Sequence, residues 1–234
     1  MSSFTIGQTP RCFALVPAAG IGARSGAAGP KQYVPLAGRA MMAHTLAALA
    51  AVPQIEATLV VLSPEDDQFE AAVPGFDGAW IARCGGASRA ETVANGLDEL
   101  TARGAAPHDW VLVHDAARCL VRPEWIATLI ARCEDDEVGG LLAFPLPDTL
   151  KQSADGRVAA TVDRAGKWAA QTPQMFRLGL LRPALAQMGA AATDEASAVE
   201  ALGHSPLLVE APMENFKVTW PADFALAERM LRTR

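Results

Sequence analysis

Several things are missing from this 234-residue chain, and each absence removes a class of protein. Its four cysteines, Cys12, Cys84, Cys119 and Cys133, form no C-x-x-C pair and no metal-ligand spacing, which excludes a dithiol redox motif and a zinc module. Buried thiols in a reducing, cytoplasmic compartment are the simplest account of them. Residues 1–11 carry no basic segment leading into an apolar one, so no secretory signal is expected. No apolar run approaches the ~18 residues that suggest a membrane span. With 20 Lys and Arg against 26 Asp and Glu, no general nucleic-acid binder is expected. An anionic small substrate would therefore need a local cluster of cations. No Ser-His-Asp or Cys-His arrangement stands out. No repeat, low-complexity tract or linker divides the chain, so residues 1–234 are read as a single domain. Half the residues are hydrophobic, enough to bury a sizeable core.

What is present gathers first in residues 12–32. A short apolar run ends in Ala18-Ala19-Gly20, and Gly22, Arg24, Gly26 and Gly29 follow before Pro30-Lys31-Gln32. A loop this poor in side chains lets backbone N–H groups approach an anion such as a polyphosphate. It matches neither established nucleotide fingerprint. The glycines at 20, 22 and 26 break the G-x-G-x-x-G spacing, and Lys31 lacks the following Ser or Thr of a Walker A loop. The reading is a phosphate loop of another design, with an ordinary flexible loop as the alternative.

Beyond the loop, strand and helix patterns alternate. Residues 41–50 read as a buried helix, 58–62 as a strand covered on both faces, and 80–84 as a third short strand. Ser88 with Glu91 matches a capping box before a helix carrying Val93, Leu97 and Leu100. Arg89 lies in that first turn, the wrong end for a cation unless it faces an anion or solvent. Residues 110–114 read as a strand and 123–133 as a helix opened by Pro123. Residues 146–176, with a turn at Asp155-Gly156, read as an antiparallel excursion. Helices at 178–188 and 194–202, a strand at 207–211 and a last helix from Pro221 complete the chain. The fold class expected is α/β: a Rossmann-like, mostly parallel sheet with helices on both faces and a β-arm at about 146–176. Its ligands should sit at the strands' carboxyl ends. Asp115 ends one such strand, where a carboxylate suits Mg²⁺ held together with substrate phosphates or caps the next turn.

The loop and three later stretches carry a resemblance. With His114-Asp-Ala-Ala-Arg118, Thr193-Asp-Glu-Ala-Ser197 and Asn215-Phe-Lys-Val-Thr219, the chain resembles the 2-C-methyl-D-erythritol 4-phosphate cytidylyltransferase family, nucleotidyltransferases of the non-mevalonate isoprenoid pathway. The similarity runs from about residue 13 to about 231. It implies transfer of a cytidylyl group from CTP to a polyol phosphate with Mg²⁺, in a cytoplasmic homodimer whose arms interlock. Arg24 and Lys31 would be the catalytic cations, stabilising charge at the α-phosphorus and on departing pyrophosphate. The nucleotide would meet Ala18, Ala19, Gly20, Gly22, Gly86, Arg89, Thr92, Asp115 and Ala116, with Asp115 also the metal ligand. The acceptor would meet Arg118, Thr149, Arg164, Thr172, Thr193 and Lys217, Arg164 reaching across from the partner. From pattern alone Arg164 reads as a surface arginine near a turn, and Thr193 and Asp194 read equally well as helix caps. The chain departs from the family pattern at Ala87, where an acidic residue is general, at Thr92, where serine is common, and at Cys119, where proline usually stands. Another polyol-phosphate cytidylyltransferase, such as one using ribitol 5-phosphate, and a non-catalytic nucleotide-binding protein are the alternatives.

Overall fold

The computed structural model describes residues 9–20, 22, 26 and 29–234. Its centre is the apolar strand β1 (Cys12–Pro17), whose side chains alternate between two cores. Ala14 and Val16 point to one face, Phe13 and Leu15 to the other, the two-residue period of a strand covered on both sides. After a 3₁₀ turn (Lys31–Tyr33) and a small ribbon of β2 (Pro35–Leu36) and β3 (Arg39–Ala40), helix α1 (Met41–Ala50) packs on the first face. Then come β4 (Ile55–Val61), the short α2 (Phe69–Ala72) and β5 (Ile81–Ala82). The expected strand at 80–84 is thus shorter, since Trp80 closes a 3₁₀ turn.

Helix α3 (Arg89–Ala102) buries Val93, Leu97 and Leu100 on the second face. Gly96 lets it lie close to the sheet: a Cβ there would stand 2.7 Å from Leu15 Cδ1. Its cap is half the box read from sequence. Ser88 Oγ accepts from Glu91 N–H at 3.1 Å, but the Glu91 carboxylate accepts from Ala87 N–H at 2.9 Å rather than from Ser88. The chain continues through β6 (Trp110–Val113), α4 (Pro123–Cys133) and β7 (Gly139–Pro145). The later elements are β8 (Leu150–Ala154), β9 (Arg157–Val162), β10 (Trp168–Arg177), α5 (Leu178–Met188), α6 (Glu195–Ala201), β11 (Leu207–Glu210) and α7 (Pro221–Arg232).

The seven-stranded sheet runs β11-β7-β10-β6-β1-β4-β5. All its pairings are parallel except those of β10, which is antiparallel to β6 and β7. This corrects the extent of the excursion at 146–176. Only β8 and β9 leave the sheet, as a separate hairpin turning at Asp155-Gly156, while residues 168–177 return to the sheet's interior. Pro173 and the polar Gln171 and Gln174 hid that strand from pattern reading, and its ladder with β7 is interrupted between Ala170 and Gln174. A third cluster, with Leu120, Val218 and Ala227, seats α7 against the loop after β6.

Candidate functional site

The sheet order creates one place where neighbouring loops diverge. β1 lies between β4 and β6; the chain leaves it toward β4 and β5, then crosses over to β6 on the other side. The loops after β1 and β6 consequently separate at the strands' carboxyl ends, the usual seat of a ligand in such sheets. A cleft of about 410 Å³ opens there.

Its first wall is the glycine loop. Ala18 N–H prolongs the β1–β4 pairing with a 2.8 Å bond to Val61 O, and Gln32 Nε2 donates to Ala18 O at 2.9 Å. Ala19 and Gly20 then face the cleft. Gly22 has φ +70, and a Cβ on it would meet Lys31 Cγ at 2.6 Å. Glycine is required there both for the left-handed backbone and for the passage of the Lys31 side chain. Lys31 Nζ donates to Val218 O at 2.8 Å, tying this wall to the 215–219 stretch. Arg24 lies outside the described residues.

The second wall is the turn before α3. Thr92 Oγ1 accepts from Gly86 N–H at 3.1 Å and donates to Ser88 O at 2.8 Å. The Thr92 hydroxyl, expected to meet the nucleotide, holds the 86–88 turn, and the residue is almost fully buried. Gly86 and Ala87 are left lining the cleft with backbone groups.

The floor belongs to Asp115 and its neighbours. Its N–H donates to Thr172 Oγ1 at 3.0 Å, and Thr172 bonds His114 Nδ1 at 3.1 Å. Burial drives the His114 pKa from 6.5 down to about 4, so the ring is neutral at pH 7. A neutral ring whose Nε2–H points to Arg118 O at 3.3 Å leaves Nδ1 to accept the Thr172 proton. Thr172 is thus spent on holding Asp115. Burial of Asp115 raises its pKa, but the charges of Arg89 and Lys217 more than reverse this and hold it far below the usual carboxylate range. Arg89 Nε lies 2.9 Å from Oδ1, Lys217 Nζ 2.8 Å from Oδ2, and Arg118 Nε 3.9 Å from Oδ2.

Asp115, Arg89 and Lys217 also line a second, adjoining cavity of about 200 Å³, reached by Arg118, Thr172 and Thr193. Arg118 there spends Nη1 on Asn215 O at 2.7 Å and Nη2 on Ala170 O at 3.2 Å. Asn215 Nδ2 in turn donates to Gln171 Oε1 and Thr172 O, both at 2.9 Å. These bonds pin the segment carrying Lys217 to the interruption in β10. Asp194, not Thr193, caps α6, with a reciprocal box to Ser197.

The two cavities gather all the expected site residues within the described part of the chain except Thr149 and Arg164. Both are exposed, at the base of the hairpin. One participant escaped the sequence reading. Glu195, wholly buried, receives the Arg89 guanidinium on both oxygens at 2.7 and 3.0 Å. Glu195 stands in the 193–197 stretch that carries the resemblance, but nothing in its pattern gave it a role, because an acidic pair at a helix start normally faces solvent. Cys12, Cys119 and Cys133 are buried thiols pushed up to about 12 by burial, inert at neutral pH.

Asp115 is the single acid lining the cleft among the described residues, and no group of three or more His, Cys, Asp or Glu could hold a metal. This donor set does not fit a resident, protein-caged metal, and a Mg²⁺ arriving with substrate phosphates would have to share the Asp115 oxygens with Arg89 and Lys217.

A glycine loop and fixed cations at the switch point of a mostly parallel sheet are the arrangement of an α/β nucleotidyltransferase. The family model described as IspD, 2-C-methyl-D-erythritol 4-phosphate cytidylyltransferase, matches residues 12–233. The chain belongs to that family. A bifunctional IspD/IspF enzyme of Albidiferax ferrireducens is 61% identical over 227 residues, covering 97% of this chain and 54% of that protein, so this chain spans about half its length. A 2-C-methyl-D-erythritol 4-phosphate cytidylyltransferase of Burkholderia cenocepacia is 54% identical over 96% of this chain and 97% of its own. A crystal structure of 4-diphosphocytidyl-2C-methyl-D-erythritol synthase superposes with a TM-score of 0.84 at 42% identity, covering 96% of this chain and 100% of that one.

Proposed function

We propose that this chain joins CTP to 2-C-methyl-D-erythritol 4-phosphate, giving 4-diphosphocytidyl-2-C-methyl-D-erythritol and pyrophosphate. Family membership supports the reaction. The observation that carries its assignment to this site is the shared wall of Arg89, Asp115 and Lys217 between the two cavities. It suits a nucleotide on one side and a phosphomonoester on the other, with the reacting atoms meeting across it.

An oxygen of the acceptor phosphate, ionised at neutral pH, forms a bond to the α-phosphorus of CTP. The bond from that phosphorus to the bridging oxygen of the β-phosphate breaks, and pyrophosphate leaves with the electron pair. No general base is needed. Lys31, Arg24 and the backbone N–H groups of the glycine loop after Ala18 stabilise the charge that grows on the α-phosphate and the leaving group. Lys217 suits the acceptor phosphate as a point charge on a flexible stem. Arg118 and Thr172 act by holding the Lys217 segment and Asp115. Asp115 would hold Mg²⁺, which when bound supplies charge neutralisation to the phosphates.

The exposed β8–β9 hairpin supports a homodimer, because strands that leave a sheet need a surface to cover them. In this reading Arg164 and Thr149 complete the acceptor cavity of the partner. Buried, unreactive thiols suit a cytoplasmic enzyme, and among the described residues no helix is long and apolar enough to cross a membrane.

Pyrophosphate release from CTP with a panel of polyol phosphates, with and without Mg²⁺, tests the assignment. The expected result is Mg²⁺-dependent release fastest with the methylerythritol phosphate. Equal or faster turnover of ribitol 5-phosphate, or no release with any acceptor, would overturn it.

A further inference from the structure

Glu195 has no accessible surface, yet it stands one residue from the cap that the second cavity reaches. Its place is rigidly set. Gln174 Nε2 donates to Asp194 Oδ2 at 2.9 Å, and Gln174 Oε1 accepts from Ala196 N–H at 2.8 Å, so both neighbours are fastened to β10. From Glu195 four charges alternate toward the substrate cavities. Glu195 takes Arg89 Nη1 and Nη2 at 2.7 and 3.0 Å, Arg89 Nε meets Asp115 Oδ1 at 2.9 Å, and Lys217 Nζ meets Asp115 Oδ2 at 2.8 Å.

A guanidinium prefers a carboxylate that accepts two parallel N–H groups. Glu195 already occupies that fork, so Arg89 offers Asp115 a single N–H and the second oxygen remains for Lys217. We propose that Glu195 is a positioning residue for the acceptor: by occupying the fork of Arg89 it reserves one oxygen of Asp115 for Lys217 and so fixes the ammonium at the wall of the acceptor cavity. With the charge of Glu195 removed, Arg89 turns its fork onto Asp115, takes both oxygens and displaces Lys217. The inference rests on reading Lys217 as the holder of the acceptor phosphate.

Steady-state kinetics of the full chain test it through the two Michaelis constants. Glu195→Gln raises KM for the methylerythritol phosphate about tenfold, the ratio carried by one charge-assisted hydrogen bond, and leaves KM for CTP within about twofold. In the double variant Arg89→Gln with Glu195→Gln no fork competes for Asp115, so the acceptor KM falls below that of Glu195→Gln alone. A purely structural Glu195 gives a different pattern: both constants rise together, or the double variant is no better than the single one, and either result overturns the proposal. Should Glu195→Gln fail to fold, Glu195→Asp, whose carboxylate falls one methylene short of the fork, must raise the acceptor KM alone. Lys217→Ala separates this inference from the reading beneath it. An unchanged acceptor KM in Lys217→Ala removes both. A raised acceptor KM there with no effect of Glu195→Gln leaves the reading standing and overturns the role of Glu195.

Discussion

Around Asp115 nearly every buried polar atom has a partner inside the chain, the exceptions being Arg118 Nε and Asn215 Oδ1. The hairpin of β8 and β9 is its opposite. Almost all its residues are exposed, Val158 is 66% accessible, and its side chains bond chiefly to each other, as Lys151 Nζ does to Thr161 Oγ1 at 2.7 Å. The wall is a preorganised polar network whose geometry one chain fixes alone. The hairpin buries little within that chain. Charge stabilisation of a transition state needs the first kind of structure, because fixed dipoles and cations need not reorganise as charge develops. The second kind suits a contact surface.

The largest expected effect falls on the rigid side. Lys31→Ala lowers kcat about 10²–10³-fold, roughly 2.7–4 kcal/mol, with little change in KM for CTP. A change confined to KM would make Lys31 a ground-state binding residue and remove preorganised catalysis from the account.

The pH dependence of stability sharpens the same side. His114 has its pKa lowered from 6.5 to about 4 by burial in the folded state. The unfolded chain therefore binds the extra proton first. Stability is full above about pH 6.5, falls as pH drops toward 4, and levels below that, a loss of roughly 3 kcal/mol from this group. Urea unfolding of the protein and of His114→Asn across pH 4–7 measures the slope. The His114→Asn protein should show a shallower one; equal slopes would mean that His114 is not held neutral.

The smallest effect belongs to the hairpin. Within an isolated chain Val158→Ser changes stability by less than about 0.5 kcal/mol, as exposed substitutions do. A thermal midpoint that drops for this variant and depends on protein concentration would show that the hairpin is covered in solution.

The sequence exposed these two regions unevenly. Helices at 41–50, 123–133 and 178–188 were legible because one apolar stripe or an alanine-rich run has a single period to satisfy. Asp115 was legible because it ends a continuous apolar strand. Glu195 was not, since its burial depends on Arg89 arriving from 106 residues away. The part of Thr172 in holding His114 and the Asp115 backbone, 57 residues earlier, was not legible either. Residues 168–176 were read as part of the arm because Gln171, Pro173 and Gln174 interrupt the apolar alternation. Those interruptions are where the sheet gives up ladder pairing to support the site. The glycine loop was recognised by composition, and the structure adds why Gly22 must be glycine: Lys31 crosses it.

Whether the hairpin completes a neighbouring site is decided most directly by complementation. Arg24→Ala and Arg164→Ala proteins, each nearly inactive alone, are unfolded, mixed equally and refolded, and heterodimer formation is verified by tagging one partner. If Arg164 serves the other subunit, each mixed dimer has one site with both defects and one with neither. Random pairing makes about half the dimers mixed, so about a quarter of the unaltered activity returns. Verified heterodimers that remain inactive would contradict the shared site and confine catalysis to the rigid wall of a single chain.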